Sequence, residues 1–241
     1  MLNIGLILPD VLGTYGDDGN ALVLRQRARY RGIDAQIHTV RLGEPVPDSL
    51  DLYALGGGED TAQILAAEHL ITDGGLTRAA NKGTPIIAIC AGLQVLGQSF
   101  RASGRMVDGV GLLDATTASL AQRTIGEVQS EPLLEGLTEA LTGFENHMGA
   151  TILGPDATPL GHVTRGVGNA DEAAVTGRAD AAEQVTAEGA VQGSIIATYM
   201  HGPALARNPQ LADYLIAKAT GLNLEPLDIP AVSRLRAERL A

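Results

Sequence analysis

The stretch Pro85-Ile86-Ile87-Ala88-Ile89-Cys90-Ala91-Gly92-Leu93-Gln94-Val95-Leu96-Gly97 decides the fold. Residues 85–89 are a short apolar run entered through proline, the pattern of a buried strand. Residues 91–100 read as a helix. Cys90, the chain's only cysteine, therefore stands where a strand turns into a helix. A side chain on such an elbow is pushed out at the carboxyl edge of the sheet. There it meets the positive end of the helix dipole, which favours thiolate over thiol. Small residues at Ala88, Ala91 and Gly92 allow the tight turn. A lone cysteine is ordinarily a small buried hydrophobe. The elbow makes this one a catalytic nucleophile, provided a base and an oxyanion site accompany it.

Working outward, Asn3–Leu8, Ile33–Val40 and Asp51–Leu55 read as strands. Helices follow over about Asn20–Tyr30, Thr61–Leu70 and Leu76–Asn81, the first stopping at Gly32. This rhythm predicts an α/β fold with a mainly parallel central sheet and helices on both faces. After Gly109 the pattern shortens to Thr124–Gln129, Thr142–His147, Thr151–Leu153 and Leu160–Thr164, expected as antiparallel edge strands. Residues 166–192, rich in Gly, Ala, Asp and Glu, read as an exposed loop. Ser194–Met200 is a final buried strand and Asn208–Ala219 a periodic helix. The reading is one domain over 1–241, with 225–241 a C-terminal linker and short amphipathic helix.

The chain has 241 residues, a formal charge of −11 and only 3% aromatic residues. Nucleic acid needs a basic footprint and stacking platforms, so it is excluded as a partner. One cysteine forbids an internal disulfide and suits a reducing compartment. The first residues lack a signal-peptide pattern, and no apolar run is long enough to span a bilayer. A cytoplasmic location is expected. Arg25, Arg27, Arg29 and Arg31 read as the solvated face of a helix, with docking as the lesser alternative.

Two further segments complete a site. Gly56-Gly57-Gly58 follows a strand directly, at the edge where open parallel sheets gather ligands. Such a run either permits a tight turn or offers amides that converge with that of Ala91 on one oxygen, forming an oxyanion hole. His201, in Ala197-Thr198-Tyr199-Met200-His201-Gly202-Pro203, ends a strand of the same sheet and can reach the edge where Cys90 stands. It is the preferred general base. His147, in Gly143-Phe144-Glu145-Asn146-His147-Met148-Gly149, is the rival.

With these residues in place, the chain resembles the class I, triad-type glutamine amidotransferases. Within them it resembles the cobyric-acid-synthase-like branch, and in particular the GatD-type glutaminase subunits of lipid II isoglutaminyl synthase. Further stretches carry the resemblance: Tyr15-Gly16-Asp17-Asp18-Gly19-Asn20, Leu24-Arg25-Gln26-Arg27-Ala28, Gly56–Asp60, Gly109–Asp114, Gly143–Gly149 and Thr198–Pro203. The resemblance implies glutamine hydrolysis through a glutamyl thioester on Cys90. It implies oxyanion donors at Ala91 and the Gly57–Gly58 turn, contact between Gln94 and the bound glutamine, and a carboxylate-binding role for Arg123. It implies no metal.

The pattern departs at one place. Many members carry an acid two residues after the histidine, whereas this chain has Pro203. Either another acid in this chain, such as Glu145, orients the imidazole or an acid arrives from a partner protein, and the partner is the expectation adopted. The resemblance also implies that this partner is a MurT-type, Mur-ligase-like subunit in a heterodimer. The chain has no G-x-x-x-x-G-K-[ST] motif and no cofactor of its own is expected, so ATP and Mg would be bound by the partner. The acceptor implied is the D-glutamate α-carboxyl of the peptidoglycan stem on lipid II, which becomes D-isoglutamine during cell-wall biogenesis. A corrinoid side-chain acceptor, or a non-enzymatic thiol sensor or scaffold, are the alternatives.

Overall fold

The computed structural model describes residues 1–240. From the N-terminus the chain runs β1 (Leu2–Ile7), α1 (Gly19–Tyr30), β2 (Ala35–Val40), β3 (Leu52–Leu55), α2 (Asp60–Asp73), α3 (Gly75–Asn81), β4 (Ile86–Ile89) and α4 (Ala91–Leu96). It continues through β5 (Ser99–Ala102), β6 (Arg105–Asp108), β7 (Ala115–Pro132), β8 (Leu141–Leu153), β9 (Gly161–Arg165), α5 (Ala181–Val185) and β10 (Ala187–Glu188). It ends with β11 (Ala190–Gln192), β12 (Ile195–Thr198), α6 (Ala204–Arg207), α7 (Pro209–Thr220) and α8 (Pro230–Leu240).

The first sheet has the order β11-β12-β4-β3-β1-β2, all neighbours parallel except the edge strand β11. Every residue of β3, β4 and β12 is buried. That explains their nearly continuous apolar sequences, in which the β12 hydroxyl of Thr198 is paired with Glu188 at 2.6 Å: central parallel strands are covered on both faces, so nothing requires polar residues at alternate positions. The expected mainly parallel α/β architecture is therefore present.

Several local expectations are corrected. The helix after Cys90 stops at Leu96, because Gly97 adopts extended backbone and Ser99 begins β5. Of the short strands expected after Gly109, the first three are parts of two long ones, β7 and β8, paired antiparallel in a second sheet of mostly antiparallel neighbours, while Leu160–Thr164 corresponds to the separate strand β9, antiparallel to β7 as expected. Residues 166–192 are not simply an exposed loop. They contribute α5, β10 and β11, and Asn169 and Glu188 within them are fully buried. The composition misled because small residues suit close packing as well as turns.

The arginines of α1 are likewise not all solvated. Arg27 grips Asp213 of α7 through Nε (2.6 Å) and Nη2 (2.7 Å), and Arg31 Nη2 donates to the same carboxylate at 2.6 Å. Arg27 is only 5% exposed, so this pairing clamps α1 to α7. The C-terminal helix α8 has no buried residue and so lacks the amphipathic seam expected. It is tied down by Arg236, which donates to the carbonyls of Arg207 and Ala140 at 2.7 Å each. Ala241, included in that expectation, lies outside the described residues. Among the described residues, no helix is long and apolar enough to cross a membrane.

Candidate active site

Cys90 follows β4 directly and takes φ 52°, ψ −104°, a conformation that L-residues rarely adopt. Strain of this kind persists only where surrounding structure enforces it. Here the Cys90 amide donates to Thr198 O at 2.8 Å, pinning the elbow to β12. A Cβ at Gly92 would lie 3.1 Å from Gly56 O and 3.4 Å from Ala88 Cβ, which is why the turn needs small residues.

β12 runs beside β4 in register, Thr198 opposite Ile89, so their following residues emerge at one edge. His201 is delivered there. An isolated antiparallel bridge steadies it: Phe144 N donates to His201 O at 3.1 Å, and His201 N to Phe144 O at 2.9 Å. The second sheet thus fixes the position of an imidazole carried by the first.

The acid expected from a partner stands in this chain. Asp17, in the loop between β1 and α1, places Oδ1 and Oδ2 each 3.0 Å from His201 Nδ1. The two residues are 184 positions apart, and each is nearly fully buried. Physically, β1 belongs to the same parallel sheet, so the loop at its carboxyl end reaches the same edge. Asn20 braces this loop by donating to Asp17 O (2.9 Å) and accepting from Leu205 N (2.9 Å). Gly19 leaves room for Pro203, whose Cγ would lie 2.4 Å from a Cβ there. Pro203 therefore packs against the loop that carries the acid. The other acid weighed, Glu145, faces away: it accepts from Thr124 Oγ1, Val167 N and Gly168 N at 2.9 Å each.

Burial opposes a charge on His201, but the Asp17 carboxylate and the neighbouring Cys90 sulfur outweigh it and push its pKa up to about 10. An imidazolium is thus favoured at neutral pH, the partner a thiolate needs. Its Nε2 is buried and without a protein hydrogen bond. The Tyr15 ring lies 4.8 Å from the imidazole, centre to centre, and its hydroxyl donates to Glu59 at 3.1 Å. The rival base, His147, is occupied otherwise. Its Nδ1 bonds Gly149 O at 2.9 Å, its ring stacks on Tyr199 at 3.7 Å, and its Nε2 faces Glu145 at 3.9 Å.

The glycine run permits close backbone approach, the first of the two readings weighed for it. Cβ atoms at Gly56 and Gly58 would approach Leu12 O to 2.2 Å and Val11 O to 2.6 Å, so the run lets the Asp17 loop pass close by. Gly57 touches the whole constellation: a Cβ there would lie 3.0 Å from His201 Cε1, 3.2 Å from Asp17 Oδ2 and 3.5 Å from Cys90 Cβ. Its amide, expected as an oxyanion donor, instead donates to Asp17 Oδ2 at 2.9 Å. The amides of Gly58 and Ala91 have no partner among the described residues and remain available.

A cavity of about 250 Å³ opens beside Cys90, lined also by Gly58, Gln94, Arg123, Asn146 and His147. Arg123 reaches it through an irregularity in β7. Between Ser119 and Thr124 that strand advances five residues while β8 advances two, and this excursion re-aims the side chain. Gln94 lines the same cavity, its Nε2 donating to Tyr199 Oη at 3.1 Å. Sequence reasoning missed Asp17 as the acid, although the Gly16-Asp17-Asp18-Gly19-Asn20 loop after a first parallel strand was the available signal.

Comparison with known proteins agrees with this geometry. Residues 3–209 match the CobB/CobQ-like glutamine amidotransferase domain. The chain is 34% identical to the lipid II isoglutaminyl synthase (glutamine-hydrolyzing) subunit GatD of Staphylococcus aureus, covering 99% of this chain and 94% of that protein. It is 31% identical to the subunit of the same name from Streptococcus pneumoniae, over 100% and 89% of the two chains. A crystal structure of a glutamine amidotransferase superposes with TM-score 0.58 at 20% identity, covering 91% of this chain and 99% of that one, which speaks to fold alone. The chain belongs to the CobB/CobQ-like glutamine amidotransferase family.

Proposed function

We propose that this chain is the glutamine-hydrolysing subunit of a lipid II isoglutaminyl synthase, with Cys90, His201 and Asp17 as its catalytic set. In this reading the Cys90 thiolate attacks the side-chain amide carbon of glutamine, and the resulting oxyanion is held by the amides of Gly58 and Ala91. His201 Nε2 donates its proton to the departing nitrogen, which leaves as ammonia, and a glutamyl thioester remains. Water then adds to the thioester with His201 accepting its proton, and glutamate is released. Asp17 holds the imidazole through Nδ1 and stabilises its positive charge. Arg123 takes the α-carboxylate, and Gln94 lies along the substrate.

Ammonia is mostly protonated and non-nucleophilic in neutral water, so its use requires direct delivery to a second site. A MurT-type partner, holding ATP and Mg, would activate the D-glutamate α-carboxyl of the lipid II stem and receive the ammonia there. The observation that carries the reading is a buried Asp17–His201 pair adjoining a strained cysteine elbow at one sheet edge, in a chain similar to GatD over nearly its full length.

The test is reconstitution with a Mur-ligase-like partner, glutamine, ATP, Mg and lipid II, followed by mass spectrometry of the stem peptide. Amidation is expected with either glutamine or ammonium salts. Cys90→Ala should abolish only the glutamine-dependent reaction. Failure to amidate lipid II with either nitrogen source would overturn the acceptor assignment. Because the acid stands in this chain, the isolated protein is also expected to release glutamate.

A further inference from the structure

The Phe144-Glu145-Asn146-His147 segment lies in one of the stretches that carry the family resemblance, yet the chemistry above uses none of its side chains. Side chains alternate along β8. Glu145 and His147 point inward and are buried, whereas Phe144, Asn146 and Met148 lie on the more accessible face. Asn146 alone of that outward set carries a hydrogen-bonding amide, and it lines the cavity beside Cys90. Its Oδ1 accepts from Arg123 Nη1 at 2.7 Å. Ile125 lies directly opposite Asn146, and Arg123, two residues before it where the regular ladder is interrupted, comes within reach of the same side chain.

Asn146 is the side chain that holds this guanidinium; no carboxylate pairs with Arg123 among the described residues. Arg123 sits on the excursion of β7, where the ladder no longer constrains it. A free arginine carries considerable rotamer entropy, part of which is lost when a ligand immobilises it. Holding it in place beforehand removes some of that cost from binding. A neutral acceptor does this without cancelling the charge. A carboxylate at the same place would compete with the ligand's own.

We propose that Asn146 is a positioning residue that aims Arg123 at the α-carboxylate of the substrate. It occupies Nη1 and leaves the other donors of the fork for a bidentate contact. This inference rests on the glutaminase reading above. It assigns the segment a role in substrate recognition rather than in proton transfer.

Steady-state glutaminase kinetics on the full chain, with its partner if needed, provide the test. Asn146→Ala should raise KM for glutamine about tenfold while kcat changes less than threefold. Asn146→Asp should raise KM at least as much, and it preserves side-chain shape should the alanine variant fold poorly. Arg123→Ala should raise KM further, and the Asn146→Ala/Arg123→Ala double variant should match Arg123→Ala alone. Hydrolysis of 4-aminobutanamide, which lacks the carboxylate, should be the same in wild type and Asn146→Ala. Unchanged KM in Asn146→Ala, additive losses in the double variant, or equal damage to the carboxylate-free substrate would each overturn the proposal. If Arg123→Ala leaves KM unmoved, the carboxylate subsite itself is wrong. If the wild type releases no glutamate, the glutaminase reading fails first.

Discussion

Replacing Asp17 by Asn tests the catalytic set most directly, because it removes one charge and little volume. In the native site both carboxylate oxygens face His201 Nδ1 at 3.0 Å, and Oδ2 also accepts from Gly57 N at 2.9 Å. An amide has one acceptor oxygen for these two donors. If that oxygen stays with Gly57, the NH2 group faces Nδ1 and drives the imidazole proton to Nε2, so the neutral ring can no longer take a proton from the thiol. The rise of the His201 pKa from 6.5 to about 10 amounts to roughly 5 kcal/mol in favour of the imidazolium. Asp17 and Cys90 together produce that preference against the opposing cost of burial, so removing the Asp17 charge weakens it. Together with the wrong tautomer, this should lower kcat/KM about 10²–10⁴-fold.

The pH profile supplies a second readout with a definite sign. The wild-type imidazolium persists until pH passes about 10, so the alkaline limb of glutaminase activity should fall there. In Asp17→Asn the limb should move toward neutrality. Glutamate release measured from pH 6 to 10.5, on the isolated chain and on the complex, covers both expectations. Activity within threefold of wild type, with an unmoved alkaline limb, would refute the reasoning and return the orienting acid to another protein.

Gly57→Ala should lower kcat at least tenfold while the far-UV circular dichroism stays native, since the new methyl presses on His201 and Asp17 beside Cys90; undiminished turnover would show that the imidazole can shift at no cost. Burial pushes the Glu188 carboxyl up to about 7. Its folded pKa exceeds the unfolded value of 4.5, so native stability should decline as pH rises from about 4.5 through 7. Thermal melting of Glu188→Gln should show a flatter pH dependence across that window, and an identical slope would exclude Glu188 as its source. Asp213→Ala strands the buried guanidinium of Arg27 and that of Arg31. It should cost about 2–3 kcal/mol in urea unfolding, discounted from the fully buried case because the carboxylate is partly exposed.

The elbow was legible from local residues alone, since an apolar run entered by proline and followed by Cys90, Ala91 and Gly92 has few alternatives to a buried strand turning into a helix. Periodicity and chain order likewise marked the strand ending near His201, because β12 is covered on both faces and is apolar except for Thr198, whose hydroxyl is satisfied by Glu188. The tertiary structure alone decided the rest. Asp17 reaches His201 only because β1 and β12 belong to one parallel sheet with their carboxyl ends at a common edge. The Gly57 amide is diverted to that carboxylate, which no local pattern encodes. Arg123 owes its direction to an interruption in the β7–β8 ladder, a property of two strands and not of either alone. Helix and strand preferences arise between near neighbours in the chain, whereas acid–base partners and ligand-binding charges are chosen by which distant loops the sheet brings together.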